Sequence, residues 1–210
     1  MDLHQILITH NRAWTKRELV FFLIVFTVAA LLAGRWVRKG RIREGQAVSG
    51  LLALIFLAVV YASTVFTRTS GIRQYQLELF WSWKEIWHIG KNGRLGSLPH
   101  NLLVQENLLN MIILFPLGIL LPFIRNRKVR WWEGLFVGLA VSASIEILQL
   151  VLCRGLFEWD DMIHNGIGCM AGSILSDFVW KIWEKGRTGD SRNKKWTGGR
   201  EWCIIVGSGS

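Results

Sequence analysis

The chain has 210 residues, 51% hydrophobic and 19% charged, with a formal charge of +10. A soluble domain of this size carries more charge, and its apolar residues recur instead of running together, so that class is excluded. The basic residues cluster in short loops beside apolar runs, as the positive-inside rule expects, which excludes a nucleic-acid partner.

The apolar runs approach the length of about 20 residues that crosses a bilayer. They predict an all-α, multi-pass transmembrane helical bundle of about five spanning helices plus an interfacial amphipathic helix. Residues 1–66 form an N-terminal two-span region: a polar lead-in over 1–16, a first span over 18–34, five basic residues from Arg35 to Arg43, and a second span over 46–66. The basic cluster after the first run and the absence of a small-x-small cleavage site speak against a secretory signal. Residues 67–102 are too polar to cross and form an extracytoplasmic loop. Within it, Leu79, Phe80, Trp83, Ile86 and Trp87 share one helical face against Glu78, Ser82 and Glu85, the pattern of a helix lying among headgroups.

Residues 103–183 form a three-helix core, with spans over 103–124, 131–152 and 160–183. Pro116 removes a backbone donor within the first of these and predicts a kink. Residues 184–210 are a basic cytoplasmic tail, expected to be mobile. Ten of the twelve tryptophans lie at or near the edges of apolar runs or in the amphipathic connection, the level indole prefers. Cys153, Cys169 and Cys203 show neither CxxC nor Cys/His ligand spacing, so no disulfide framework, metal site or cofactor follows. The first and third loops carry 5 and 4 basic residues against 1 in the fourth, which orients the N-terminus outside and the C-terminus in the cytoplasm.

In that orientation three helices carry polar groups within roughly 10 Å of their outer ends. Glu106, Asn107 and Asn110 come early in the third span. Ser142, Glu146 and Gln149 come late in the fourth, on one face, and Asp160, Asp161, His164 and Asn165 come early in the fifth. The basic half shows no equivalent. A carboxylate in the hydrocarbon core costs about 2.5–3.5 kcal/mol even on the lenient insertion scale, so Glu146 needs a cation or keeps its proton. Arg154, two turns on, is the candidate cation. Interhelical glue is the plain alternative for Glu146, Gln149 and Asn165. Gly134, Gly138 and Ser142 lead to Glu146 on the fourth helix, and Gly168, Gly172 and Ser176 follow Asn165 on the fifth. Both small-residue ridges predict close helix packing.

At these residues the sequence resembles the VanZ-like family, multi-pass bacterial membrane proteins named for a teicoplanin-resistance protein. The resemblance covers about 102–175: Asn110 with Phe115, Pro116 and Gly118; Ser144, Glu146 and Gln149; then Arg154, Asp160, Asp161, Asn165, Gly168 and Gly172, with Glu158 where an aspartate is common. The first two spans and the tail carry no such signature. The resemblance implies a link to glycopeptide and lipoglycopeptide resistance. Three functions compete. One is a non-enzymatic pocket binding a lipid-linked cell-wall precursor or a lipoglycopeptide, with Asn110, Glu146, Gln149, Arg154, Asp160, Asp161 and Asn165 as ligand-binding residues. Another is an intramembrane enzyme using Glu146, Asp160, Asp161 or His164, with a divalent metal on the two aspartates. The third is a transporter or assembly subunit, disfavoured by the lack of internal repeats. No lipid-phosphatase, CDP-alcohol transferase, rhomboid GxSG or HExxH pattern is present. Beyond the lipid bilayer no partner is fixed, and the oligomeric state is open.

Overall fold

The computed structural model describes residues 15–68 and 70–198, with side chains to residue 181. The polar lead-in up to residue 14 and the last twelve residues of the tail lie outside the described residues. The protein is an all-α membrane helical bundle: α1 (Lys16–Arg38), α2 (Glu44–Tyr61), α3 (Trp81–Lys91), α4 (Leu98–Ile113), α5 (Phe115–Arg125), α6 (Trp131–Leu152) and α7 (Trp159–Gly198). A π-helical turn, Ala62–Phe66, continues α2, and two three-residue strands, β1 (Gln74–Gln76) and β2 (Leu156–Glu158), pair in parallel.

Among the described residues, Lys16–Arg38, Glu44–Phe66, Leu98–Arg125 and Trp131–Leu152 are long and apolar enough to cross a membrane. The expected fifth span, α7, is not among them. Its inward stripe of Asp160, His164, Asn165, Ser173 and Ser176 is polar and buried, which lowers the mean hydropathy of the helix. Its backbone also stays helical to Gly198, well into what was expected to be a loose tail.

α7 is the central element, held between α4 and α5 on one side and α6 on the other, and its glycines explain why. A Cβ on Gly168 would collide with the Met111 carbonyl oxygen, and one on Gly172 with the Phe115 carbonyl oxygen. From across the gap, Gly118 faces the Cys169 carbonyl, Gly134 faces Ser173, and Gly138 faces Cys169 and Gly166. Bare backbones therefore meet, as small-residue interfaces between membrane helices require.

The break in the third apolar stretch falls at Leu114 (φ −104°, ψ 2°), two residues before Pro116, which takes the second position of α5. The ring blocks the hydrogen bond that would have continued α4, so the kink appears on the N-terminal side of the proline. At the basic end, the Gln46 amide donates to the Ile124 carbonyl at 3.0 Å, docking the start of α2 on the end of α5. Glu133 is buried there and takes a bidentate fork from Arg127 (3.0 and 3.1 Å) together with Arg125. The basic end thus has a polar knot of its own, contrary to expectation.

Among the described residues α1 packs mainly on α2, and none of its residues is buried. A cleft of about 420 Å³ opens between the two.

Candidate functional site

The polar residues of α4, α6 and α7 do meet at one end of the bundle. Asn110 donates to the Asp161 carboxylate, joining α4 to α7. The Asn165 amide donates to Ser142 Oγ at 2.8 Å, joining α7 to α6. Glu146 accepts the backbone N–H of Glu158 at 3.0 Å, so a carboxylate in α6 holds the end of β2. β2 is in turn fixed by β1, with Tyr75 opposite Phe157 and Gln76 opposite Glu158.

Arg154 does not pair with Glu146. Its guanidinium reaches the carbonyls of Val65 (3.5 Å) and Phe66 (3.1 Å) and the Ser70 hydroxyl (3.4 Å). The reason is local. The π-turn widens the helix end and leaves carbonyls without intrahelical donors, and a planar fork of N–H groups suits them. Gln149 serves the same turn, donating to the Thr64 carbonyl at 2.9 Å. A second cation, Arg68, lies just beyond the turn and brings its guanidinium beside Gly155 and the Gln149 amide. Its side chain passes under Gly155 (φ +129°), where a Cβ would lie 2.8 Å from Nη1. Only glycine combines that φ with that approach.

Asp160 is 2% exposed, and both its oxygens are engaged by a helix it does not belong to. They accept the Phe80 N–H at 2.5 Å, the Ser82 N–H at 3.3 Å and the Ser82 hydroxyl at 2.9 Å. Asp160 therefore caps α3 from the first turn of α7 and holds Phe80 in its left-handed conformation (φ 57°). Asn107 reinforces the joint with a bond to Ser82 at 3.2 Å. Ser82, expected on the solvated face, is the buried contact of α3, whereas Trp87 turns outward and Trp83, 40% exposed, packs its ring edge-on against His164 of α7. The Trp83 indole N–H donates to His164 Nε2 at 2.7 Å. Because indole can only donate, that nitrogen carries no proton and the ring proton sits on Nδ1.

The acidic groups press on one another. Burial pushes the Glu158 carboxyl up to about 7, helped by the charges of Asp161, Glu106 and Asp160 and opposed by the Trp81 indole. Glu106 is exposed and acts at this distance only. Among the described residues no group of three or more His, Cys, Asp and Glu side chains is placed to hold a metal ion.

A family model described as VanZ/LLP1 matches residues 47–180. The chain belongs to the VanZ/LLP1 family. The match starts within α2, so the VanZ/LLP1 unit includes the second span and the π-turn, which the motifs over 102–175 had left out. No curated protein matches the chain, and no solved structure does.

The VanZ/LLP1 residues that sequence reasoning missed are Arg68, Ser82, Trp83 and Gly155. Arg68 looked like one more loop charge, and no pattern marks a π-turn. Ser82 and Trp83 were visible in an amphipathic segment, but nothing there said that an aspartate 78 residues on would cap it.

Proposed function

We propose that this VanZ/LLP1 chain is a non-enzymatic integral membrane protein whose outward-facing polar cluster binds the polar part of a lipid-linked cell-wall precursor or an amphiphilic drug. In this way it contributes to glycopeptide and lipoglycopeptide resistance of the teicoplanin type. What supports the proposal is the gathering of groups from distant parts of the chain at one end of the bundle: Asn110 bonded to Asp161, Glu146 bonded to the Glu158 N–H, and the Arg68 guanidinium beside Gly155 and the Gln149 amide. Arg68, Glu146 and Asp161 engage the ligand. Asn110, Gln149, Arg154, Asp160 and Asn165 hold the frame through the bonds described above. The N-terminus lies outside and the C-terminus in the cytoplasm, with residues 47–183 as the working core and 67–102 over its outer face.

The test is a drug-susceptibility panel in a bacterial host expressing wild type, Glu146→Gln, Asp161→Asn or Arg68→Gln at equal membrane levels. Protection against teicoplanin-type drugs is expected from wild type and lost in all three variants. Retention of protection in Glu146→Gln and Arg68→Gln together would sink the proposal.

One observation favours an enzyme as the second reading: a Glu158 carboxyl near 7 suits general acid–base work at neutral pH. Mass spectrometry of lipid precursors from cells with and without the protein separates the two, since a modified product appears only if a reaction is catalysed.

A further inference from the structure

Five basic residues lie from Arg35 to Arg43, where α1 turns into α2, and four lie from Arg125 to Arg130, where α5 turns into α6. All nine are exposed. The acids within 35–44 and 125–133 are Glu44 and Glu133, and Glu133 is buried and already engaged by Arg125 and Arg127. The fold joins the two basic segments. The Gln46 amide donates to the Ile124 carbonyl at 3.0 Å, and the Arg43 guanidinium donates to Asn126 Oδ1 at 3.5 Å. Two loops far apart in sequence thus form one positive surface.

Like charges gathered in this way repel, and two acids are too few to offset nine cations. The surface sits where apolar helices leave the membrane: α1 and α5 end on it, and α2 and α6 start on it. α6 begins without a side-chain cap, so the N–H groups of its first turn add the positive end of a helix dipole to the same face. Trp36, Trp131 and Trp132 adjoin these basic residues and are exposed, at the level where indole meets headgroups. The charge that complements the surface at that depth is the phosphate of an anionic phospholipid, which a guanidinium fork matches in shape as well as sign.

We propose that this face binds the phosphate groups of anionic phospholipids, with Arg38, Arg41 and Arg43 donating from the first connection and Arg130 from the second. The bound headgroups hold the α1–α2 hairpin against the α5–α6 hairpin. A bias of loop charge sets orientation but requires no bound lipid, so the proposal goes further than that rule. It is also separate from the proposed ligand site, since Arg130 and Glu146 stand toward opposite ends of α6.

The experiment places the full chain in nanodiscs of phosphatidylcholine, with and without phosphatidylglycerol. It reads the lipids retained in native mass spectrometry together with the melting temperature. Wild type is expected to retain phosphatidylglycerol about tenfold over phosphatidylcholine at equal supply, and to melt higher when it is present. Arg38→Gln combined with Arg41→Gln, and separately Arg130→Gln, are each expected to lower that preference by about threefold or more. In phosphatidylcholine alone both variants are expected to melt no lower than wild type, because removing a like charge relieves repulsion, whereas a damaged fold melts lower in both lipids. Lys91→Gln combined with Arg94→Gln changes the net charge in the 67–102 loop as much as the first variant does here, and is expected to leave the preference intact. Equal retention of the two lipids by wild type overturns the proposal. So does a preference that survives both loop variants, or one that falls equally in the Lys91 and Arg94 variant. Lower melting of both loop variants in phosphatidylcholine assigns these arginines to loop structure and overturns it as well.

Discussion

Asp160 and Asp161 are neighbours in sequence with different employments. Asp160 takes three hydrogen bonds from the start of α3, while Asp161 takes one from Asn110. Hydrogen bonds to a charged group contribute about 1.5–3 kcal/mol each, and leaving buried donors without a partner costs more than the mean bond is worth. Asp160→Ala is therefore expected to destabilise the protein by about 3 kcal/mol and to speed hydrogen exchange at the Phe80 and Ser82 amides. Asp160→Asn keeps the shape and loses less. Thermal unfolding in detergent and exchange mass spectrometry check both. Glu158 gives the pH dependence. Its folded value near 7 lies above the ordinary 4.5, so between those values the folded state binds more protons than the unfolded one. Stability is thus expected to fall as pH rises from about 4.5 to about 7 and to flatten above, and Glu158→Gln should remove that slope. An unchanged slope in the variant would assign the effect elsewhere.

At the scale of elements, the glycines of α7 and of α2 make opposite predictions. Gly168 and Gly172 lie against backbone carbonyls, whereas Gly45 and Gly50 have nothing within 4 Å of where a Cβ would stand. Gly168→Val is expected to wedge α7 away from α4 and cost 3 kcal/mol or more, beyond the roughly 1–3 kcal/mol of ordinary overpacking, since the obstacle is main chain. Gly50→Ala is expected to stabilise by about 0.5–1 kcal/mol through helix propensity. The close-packed ridges were legible because residues with almost no side chain recurred at helical spacing on two separate helices. The polar convergence was legible for the same reason: acids and amides clustered at matching ends of three apolar runs. The wiring was not. Arg154 sits two turns from Glu146 and was its natural partner by spacing, yet a π-turn far earlier in the chain presents carbonyls that compete for it. Such long-range competition leaves no mark on local sequence. α3 was legible as a helix, but its inward face turns on Asp160, which lies on another element.

For the whole molecule, the proposed orientation places the α2–α3 connection and β2 outside and the Glu133 knot inside. Reporter fusions at Arg127 and Glu158 test this, with a cytoplasmic signal expected from the first alone. A cytoplasmic signal at Glu158 would invert the molecule and with it the proposed access of an outside ligand. A last consequence follows from where α7 lies in the chain. It is the final described helix to leave the ribosome, yet Asn110, Ser142 and the glycine faces of α5 and α6 all close upon it. Until it arrives, the earlier helices sit in lipid with Asn110 and Ser142 lacking their α7 partners. A chain ending before Trp159 is therefore expected to lack the close-packed interfaces of α4, α5 and α6 and to be recovered from the membrane at lower levels than the full chain, which quantitative blotting of the two forms checks.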